Sequence, residues 1–155
     1  MKLSMTIAGV LAVSALALGA AAAPQSVEVA CRGIPEAENH LAVLLSTDDV
    51  LRVEPLTAHE HLNDPTVPTG EGARIIVAAQ PFVTSAWLQQ AVDCHRARNA
   101  SAGGAPRASR SPLDVDGTTI AVTAAPGTLT VNIATTDRQA AREVLARSMA
   151  LQPKH

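Results

Sequence analysis

The chain has 155 residues, with 12 Lys and Arg against 14 Asp and Glu and two aromatic side chains, Phe82 and Trp87. A slightly acidic chain lacks the basic face that attracts nucleic acids or anionic membranes, and two aromatics give no stacking platform for bases or sugars. The composition therefore argues against a nucleic-acid partner and indicates one domain large enough to bury a core.

The first 22 residues have the layout of a secretory signal peptide. Lys2 is the only charge before Glu28, an apolar run follows it, and small residues then supply a cleavage site. We expect cleavage after Ala22, which leaves residues 23–155 as a periplasmic or secreted domain without a membrane span. A retained anchor is the alternative, although a spanning helix needs about 20 apolar residues. Cleavage removes Lys2 and no acid, so the net charge of −2 becomes −3.

Two cysteines, Cys31 and Cys94, remain after cleavage. In an oxidising compartment they are the minimum for one disulfide, which would close a loop of about 60 residues and constrain the unfolded chain by roughly 4 kcal/mol. Two buried free thiols are the alternative. We predict the Cys31–Cys94 disulfide, which agrees with export.

Three segments of the first half are defined by spacing and by turn residues. Apolar positions at helical spacing predict a helix over 35–46. Proline, glycine and charged residues predict a loop over 57–72. The β-branched run at 74–79 predicts a central strand.

Between the predicted helix and loop, residues 50–56 alternate between apolar and charged side chains. This pattern predicts a half-buried strand. We expect Leu51 and Val53 on its buried face and Arg52 and Glu54 on its solvent face.

The middle of the chain predicts a capped helix over 85–99, with Thr84 as its N-cap, and then a mobile loop over 99–112. The loop prediction rests on its Ala, Gly, Ser, Arg and Pro composition. One stripe of the helix is expected to be buried: Trp87, Ala91 and Cys94.

Alternating strands on either side of Pro126 and Gly127 predict a β-hairpin near the C-terminus. Thr136 and Gln139 then match a capping box, which predicts a helix that ends near Leu151. Its buried stripe is expected to comprise Ala140, Ala141, Val144, Leu145 and Ser148.

This order of elements predicts an α+β fold: a two-layer sandwich of about four mainly antiparallel strands with helices on one face. The repeated strand–strand–helix order is consistent with two β-β-α units. The hairpin–helix over 115–151, with its run Ala140-Ala141-Arg142-Glu143-Val144-Leu145, resembles a BON domain. That resemblance implies a module of the bacterial envelope that works at phospholipid surfaces.

A second resemblance is to exported bacterial proteins of unknown function. It is carried by Trp87-Leu88-Gln89, by Cys94-His95, and by the hairpin and helix that follow. It implies export and the same fold, and it implies no activity.

His59 and His61 are the candidate metal ligands. If the segment is extended, residues two apart share a face, and His40 and His95 could converge on the pair. Imidazole is a common ligand of zinc and copper. Solvated histidines in a polar loop are the alternative, so a copper or zinc site is one hypothesis and no cofactor is the other.

No enzyme motif is found in the sequence. Cys94 and His95 are neighbours on a predicted helix, where side chains one position apart do not face each other. We therefore expect an exported, non-catalytic binding or interaction domain with an unknown envelope partner or small ligand. A periplasmic copper- or zinc-binding protein and a membrane-surface module of BON type are the alternatives.

Overall fold

The computed structural model describes residues 26–34, 49–103 and 110–152. The predicted signal peptide, the predicted helix at 35–46 and residues 104–109 of the predicted loop lie outside these ranges. The described residues form a four-stranded antiparallel sheet in the order β1-β2-β4-β3. Its strands are β1 (Val50–Leu56), β2 (Glu71–Ala78), β3 (Thr119–Ala125) and β4 (Thr128–Thr135).

The described helices are α1 (Val27–Ala30), α2 (Ser85–Ser101) and α3 (Arg138–Met149), with short 3-10 turns at Glu60–Leu62 and Pro112–Asp114. Leu88 and Val92 of α2 and Val144 of α3 join one apolar cluster with the sheet. The two long helices therefore pack on the same face. The predicted two-layer α+β sandwich and its repeated strand–strand–helix order are confirmed.

Alternation along the central strands places the core on the helix side of the sheet. Ile75 and Val77 of β2 and Val131 and Ile133 of β4 are completely buried there. Burying each such side chain stabilises the fold by about 1.5–3 kcal/mol. The hairpin of β3 and β4 turns at Gly127, whose φ of 75° is the left-handed value that this turn position requires.

The prediction for the faces of β1 is wrong at Leu51. The pairing of β1 with β2 shifts register between Val50 and Arg52, which is the signature of a β-bulge. The extra residue reverses the alternation, so Val50 and Val53 are buried and Leu51 is 52% exposed.

The ends of α2 combine one confirmed prediction and one error. The hydroxyl of Thr84 accepts a hydrogen bond from the Trp87 amide at 3.1 Å, so the predicted N-cap is confirmed. The helix continues to Ser101, so the predicted loop over 99–112 begins too early. At the far end of the predicted loop, Pro112 and Leu113 are buried in a 3-10 turn.

The predicted capping box of α3 is displaced by one residue. Asp137, and not Thr136, is the N-cap, and its carboxylate accepts from the amides of Gln139 and Ala140 at 2.9 and 2.8 Å. The preceding turn selects Asp137, because the Thr135 hydroxyl accepts a hydrogen bond from the Asp137 amide. Both residues are good caps, and the backbone conformation decides between them.

A disulfide joins Cys31 to Cys94, with their Cα atoms 4.5 Å apart, as predicted. It fixes α1 against α2, where Ala30 is buried. None of the helices within the described ranges has the length and apolarity that crossing a membrane would require.

Candidate ligand-binding face

The sheet face turned away from α2 and α3 is called the open face here. Within the described part of the chain, this face borders a groove of about 540 Å³, a volume within the range of small-ligand sites. Twelve residues line the groove: Leu51, Arg52, Glu54, Asp64, Val67, Arg74, Ile76, Thr123, Ala125, Thr128, Thr130 and Asn132.

The alternation that buries the core also places Arg74 and Asn132 together on the open face. Arg74 lies between buried residues of β2, and Asn132 lies between buried residues of β4. The two are directly paired across the strands. Side chains of directly paired residues are close enough to interact, and these two do.

The guanidinium of Arg74 is held by three neighbours. Nε donates to Oδ1 of Asn132 at 3.0 Å, and Nη1 donates to Oε1 of Glu60 at 3.2 Å. Nη1 also lies 3.7 Å from Oε2 of Glu54. The side chain is only 23% exposed, so its orientation is fixed before any ligand arrives.

Asn132 is 1% exposed and borders the groove. A guanidinium has no acceptor, so the amide oxygen of Asn132 must face Arg74 and its Nδ2 donor must point elsewhere. The described residues provide no partner for Nδ2, nor for Nη2 of Arg74. Neither nitrogen is a fully buried atom without a partner in the described residues, so the floor of the groove presents two accessible donors with unused capacity.

The loop between β1 and β2 forms one wall of the groove. Val67 packs on Leu56 and Ala134 in a small apolar cluster on this side of the sheet. Asp64 accepts hydrogen bonds from the hydroxyl and the amide of Thr66, and these bonds lower the pKa of its carboxyl. The apolar packing of Val67 and the hydrogen bonds of Asp64 together hold the loop in place.

The opposite end of the groove is apolar. Leu51 is 52% exposed on β1 near Ile76 of β2, and Ile76 is paired with Arg52 and Thr130, so the apolar surface here is small. Beyond the end of β2, a turn presents Phe82, which is fully exposed and has a left-handed φ of 70°. Such a φ is uncommon for a residue other than glycine.

The charges that line the groove cancel. Arg52 and Arg74 are balanced by Glu54 and Asp64, and Nε of Arg52 lies 3.0 Å from Oε1 of Glu54. Glu60 adds one further carboxylate beside Arg74. The groove therefore has no excess of positive charge to attract an anion.

Both edges of the sheet are partly protected against strand addition. At β3, Oε1 of Gln89 accepts from the Val122 amide at 2.8 Å, and Nε2 of Gln89 donates to the Ile120 carbonyl at 3.3 Å. At β1, a bulge, Pro55 and charged side chains interrupt the edge. These are established ways of blunting an edge strand.

A second polar cluster lies on the helix side. Nε2 of His95 is 2.6 Å from Oδ1 of Asp114, and Nδ2 of Asn99 donates to the same oxygen at 2.6 Å. The Asp114 side chain is 5% exposed, so the cluster fastens the 3-10 turn at 112–114 to α2. Cys94 is in the disulfide and cannot serve as a thiolate for His95.

The predicted metal ligands His59 and His61 lie at a 3-10 turn and not on an extended segment. His95 is bound to Asp114 on the helix side, and His40 lies outside the described residues. Among the residues described, no three or more of His, Cys, Asp and Glu are grouped to hold a metal ion. Metal binding itself stays a prediction.

Sequence reasoning did not identify Arg74 and Asn132. The available signal was a polar residue flanked by apolar ones in each central strand, Ala73-Arg74-Ile75 and Val131-Asn132-Ile133. That pattern is also typical of any half-buried strand.

Comparisons with protein-family models, with curated proteins and with solved structures give no match for this chain. The resemblances to a BON domain and to exported bacterial proteins stay predictions.

Proposed function

We propose that this chain is an exported, non-catalytic binding domain that holds its ligand on the open face of the sheet. The observation that carries the proposal is the pair Arg74 and Asn132. A half-buried guanidinium and a buried amide, fixed by each other and by Glu60, present unused donors to a groove of ligand size.

Binding is better supported than turnover because of the chemistry of these groups. Guanidinium and carboxamide donate hydrogen bonds, and neither is a nucleophile or exchanges a proton near neutral pH. Pre-ordered donors reduce the entropic cost of fixing a ligand.

Export is supported by the layout of the first 22 residues and is compatible with the disulfide between Cys31 and Cys94. Disulfides persist in oxidising compartments such as the periplasm. A mass spectrum of the chain recovered from the periplasm of an expressing bacterium tests this part. We expect the mass of residues 23–155, lighter by two hydrogens because of the disulfide.

The position of the binding site is tested by nuclear magnetic resonance. The ¹⁵N-labelled protein is titrated separately with acetone, N-methylacetamide, acetate and methylammonium, and amide shifts are recorded. We expect at least one probe to shift amides of β2 and β4 around Arg74 and Asn132. Shifts confined to the helix side would refute the proposal, as would the absence of open-face shifts with these four probes and with the three leucine compounds described below.

A variant and its matched control test the Nδ2 donor of Asn132 without changing the size of either side chain. Asn132→Asp keeps an oxygen for Arg74 Nε and loses the Nδ2 donor, whereas Gln139→Glu makes the same charge change at an exposed position of α3. The open-face shifts should weaken in the first variant and persist in the second. Equal shifts in both would place the site elsewhere.

A further inference from the structure

We infer that the ligand of the open face is a peptide segment of a partner protein, bound through a neutral backbone carbonyl and one apolar side chain. This inference rests on the proposed function and adds the chemical class of the ligand. Three features carry it: the unused donors, the absence of excess positive charge, and the apolar side chains of Leu51 and Ile76 about two residues' length from the donors.

The donors require an oxygen acceptor. Nδ2 of Asn132 and Nη2 of Arg74 carry only N–H groups, so the atom that they recognise must have a lone pair. Carbonyl, carboxylate and phosphate oxygens all satisfy this condition. The choice among them depends on charge.

The charge around Arg74 favours the neutral acceptor. Glu60 Oε1 at 3.2 Å and Glu54 Oε2 at 3.7 Å already surround the guanidinium with two carboxylates. A ligand carboxylate or phosphate would bring further negative charge to one cation, and like charges in a partly buried site repel each other strongly. An ammonium group has no lone pair and cannot accept a hydrogen bond from these donors. A neutral amide carbonyl has the lone pair that the donors need and adds no negative charge to the site.

The apolar patch lies at the distance that a peptide needs. Ile76 follows Arg74 by two residues on the same face of β2, which is about 7 Å along the strand. Leu51, on the neighbouring strand, is half exposed beside it. Each residue of an extended chain spans about 3.3–3.6 Å, so a carbonyl at Asn132 and an apolar side chain at Ile76 fit one short segment.

The protected edges influence how such a segment lies. Gln89 occupies one carbonyl and one amide at the centre of β3, and Pro55 and the bulge interrupt β1. A peptide therefore crosses the open face and does not extend the sheet. Recognition comes from side-chain donors and apolar contact, and not from strand pairing.

Three blocked derivatives of leucine separate the ligand classes. N-acetyl-leucine N-methylamide is neutral, N-acetyl-leucine carries a carboxylate, and leucine N-methylamide carries an ammonium group. Each is titrated into the ¹⁵N-labelled protein, and its dissociation constant is taken from the shifts of open-face amides. We expect the neutral compound to bind at least about fivefold more tightly than either charged one.

The outcomes distinguish this inference from the proposed function. Tighter binding of the carboxylate or of the ammonium compound would overturn the peptide inference while leaving the open face as a binding site. Failure of all three compounds, together with all four simple probes, to shift open-face amides would overturn both.

Two substitutions test the two contacts separately. Asn132→Asp should weaken the neutral leucine compound about tenfold, whereas the Gln139→Glu control should leave its affinity unchanged. Leu51→Ser should reduce the affinity for the leucine compound to that for N-acetyl-glycine N-methylamide, which lacks the side chain. If Leu51→Ser leaves the difference in affinity between the leucine and glycine compounds unchanged, the inferred contact between the ligand side chain and Leu51 is wrong.

Discussion

Gln89 binds the backbone of Val122 at the position where a neighbouring strand would bind it. Its side-chain oxygen accepts from the Val122 amide at 2.8 Å, and its amide nitrogen donates to the Ile120 carbonyl at 3.3 Å. One side chain of α2 thus satisfies one N–H and one C=O at the centre of the edge strand β3, which that strand would otherwise expose. An edge with unpaired groups is a template for association with another chain.

We therefore expect Gln89→Ala to produce self-association through β3. The truncated side chain leaves one N–H and one C=O of β3 without partners, and we expect a loss of about 1–3 kcal/mol in the free energy of unfolding. Sedimentation velocity should show dimers or larger species. The adjacent Gln90→Ala is the control, because Gln90 binds the Arg32 carbonyl and not the strand edge. A monomeric Gln89→Ala protein would show that α2 blocks the edge by steric contact alone.

Gly72→Ala is expected to destabilise the protein by about 3 kcal/mol. A Cβ atom at this position of β2 would overlap the carbonyl oxygen of Ile133 on β4, and that backbone oxygen cannot move without breaking the sheet. Urea unfolding measures the change.

A control variant at Gly117 separates the effect of steric overlap with β4 from the effect of a glycine's backbone conformation. Gly117 has a φ of 71° and open space around its Cβ position, so Gly117→Ala should cost only about 1 kcal/mol through local strain. Equal costs for the two variants would mean that close contact with β4 is not the cause at Gly72.

The sequence predicts the fold well because its signals are local. Alternation on either side of Gly127 and the cap at Thr84 depend on neighbouring residues, and both predictions are confirmed. The face of Leu51 was predicted wrongly because the bulge arises from the pairing of β1 with β2. The sequence of residues 50–56 alone does not indicate how β1 pairs with β2.

The candidate site is harder to predict for the same reason. Arg74 and Asn132 are 58 positions apart in the chain and meet only through the register of β2 and β4. Glu60 joins them from a loop whose 3-10 turn was not expected. A one-residue shift in register would move Asn132 to the other face, so a pattern of single polar residues cannot locate the site.

Asp64 is expected to titrate below its ordinary pKa of 3.8. Hydrogen bonds from the Thr66 hydroxyl and amide favour the carboxylate and lower its pKa. Since the folded-state pKa is depressed, the contribution of this turn is fully present above the unfolded-state value and is lost as the pH falls through the folded-state value. The hydrogen bonds from Thr66 to Asp64 should therefore persist to a pH below 3.8, the ordinary pKa of this carboxyl.

A pH titration that follows the Asp64 carboxyl and the Thr66 amide by nuclear magnetic resonance checks this prediction. Thr66→Val removes the hydroxyl donor and retains the amide donor, so the pKa of Asp64 should rise toward its ordinary value without reaching it. If the variant and the original protein titrate together, the hydroxyl bond does not lower the pKa.

Ser148→Ala is expected to leave the protein equally stable or to stabilise it by up to about 1 kcal/mol. The Ser148 side chain is completely buried in α3, and within the described residues its Oγ is a buried polar atom without a hydrogen-bond partner. Removing an unpaired buried hydroxyl relieves its desolvation cost and leaves a cavity of only one oxygen atom.

Thr118→Val is the contrasting variant for Ser148. Thr118 is also buried, but its hydroxyl donates to the Val115 carbonyl at 2.9 Å, so the near-isosteric valine should cost about 1 kcal/mol or more. Chemical denaturation of the two variants gives the comparison. If Ser148→Ala loses as much stability as Thr118→Val, Ser148 has a hydrogen-bond partner in solution. In that case α3 is held against the sheet by a polar contact as well as by apolar packing.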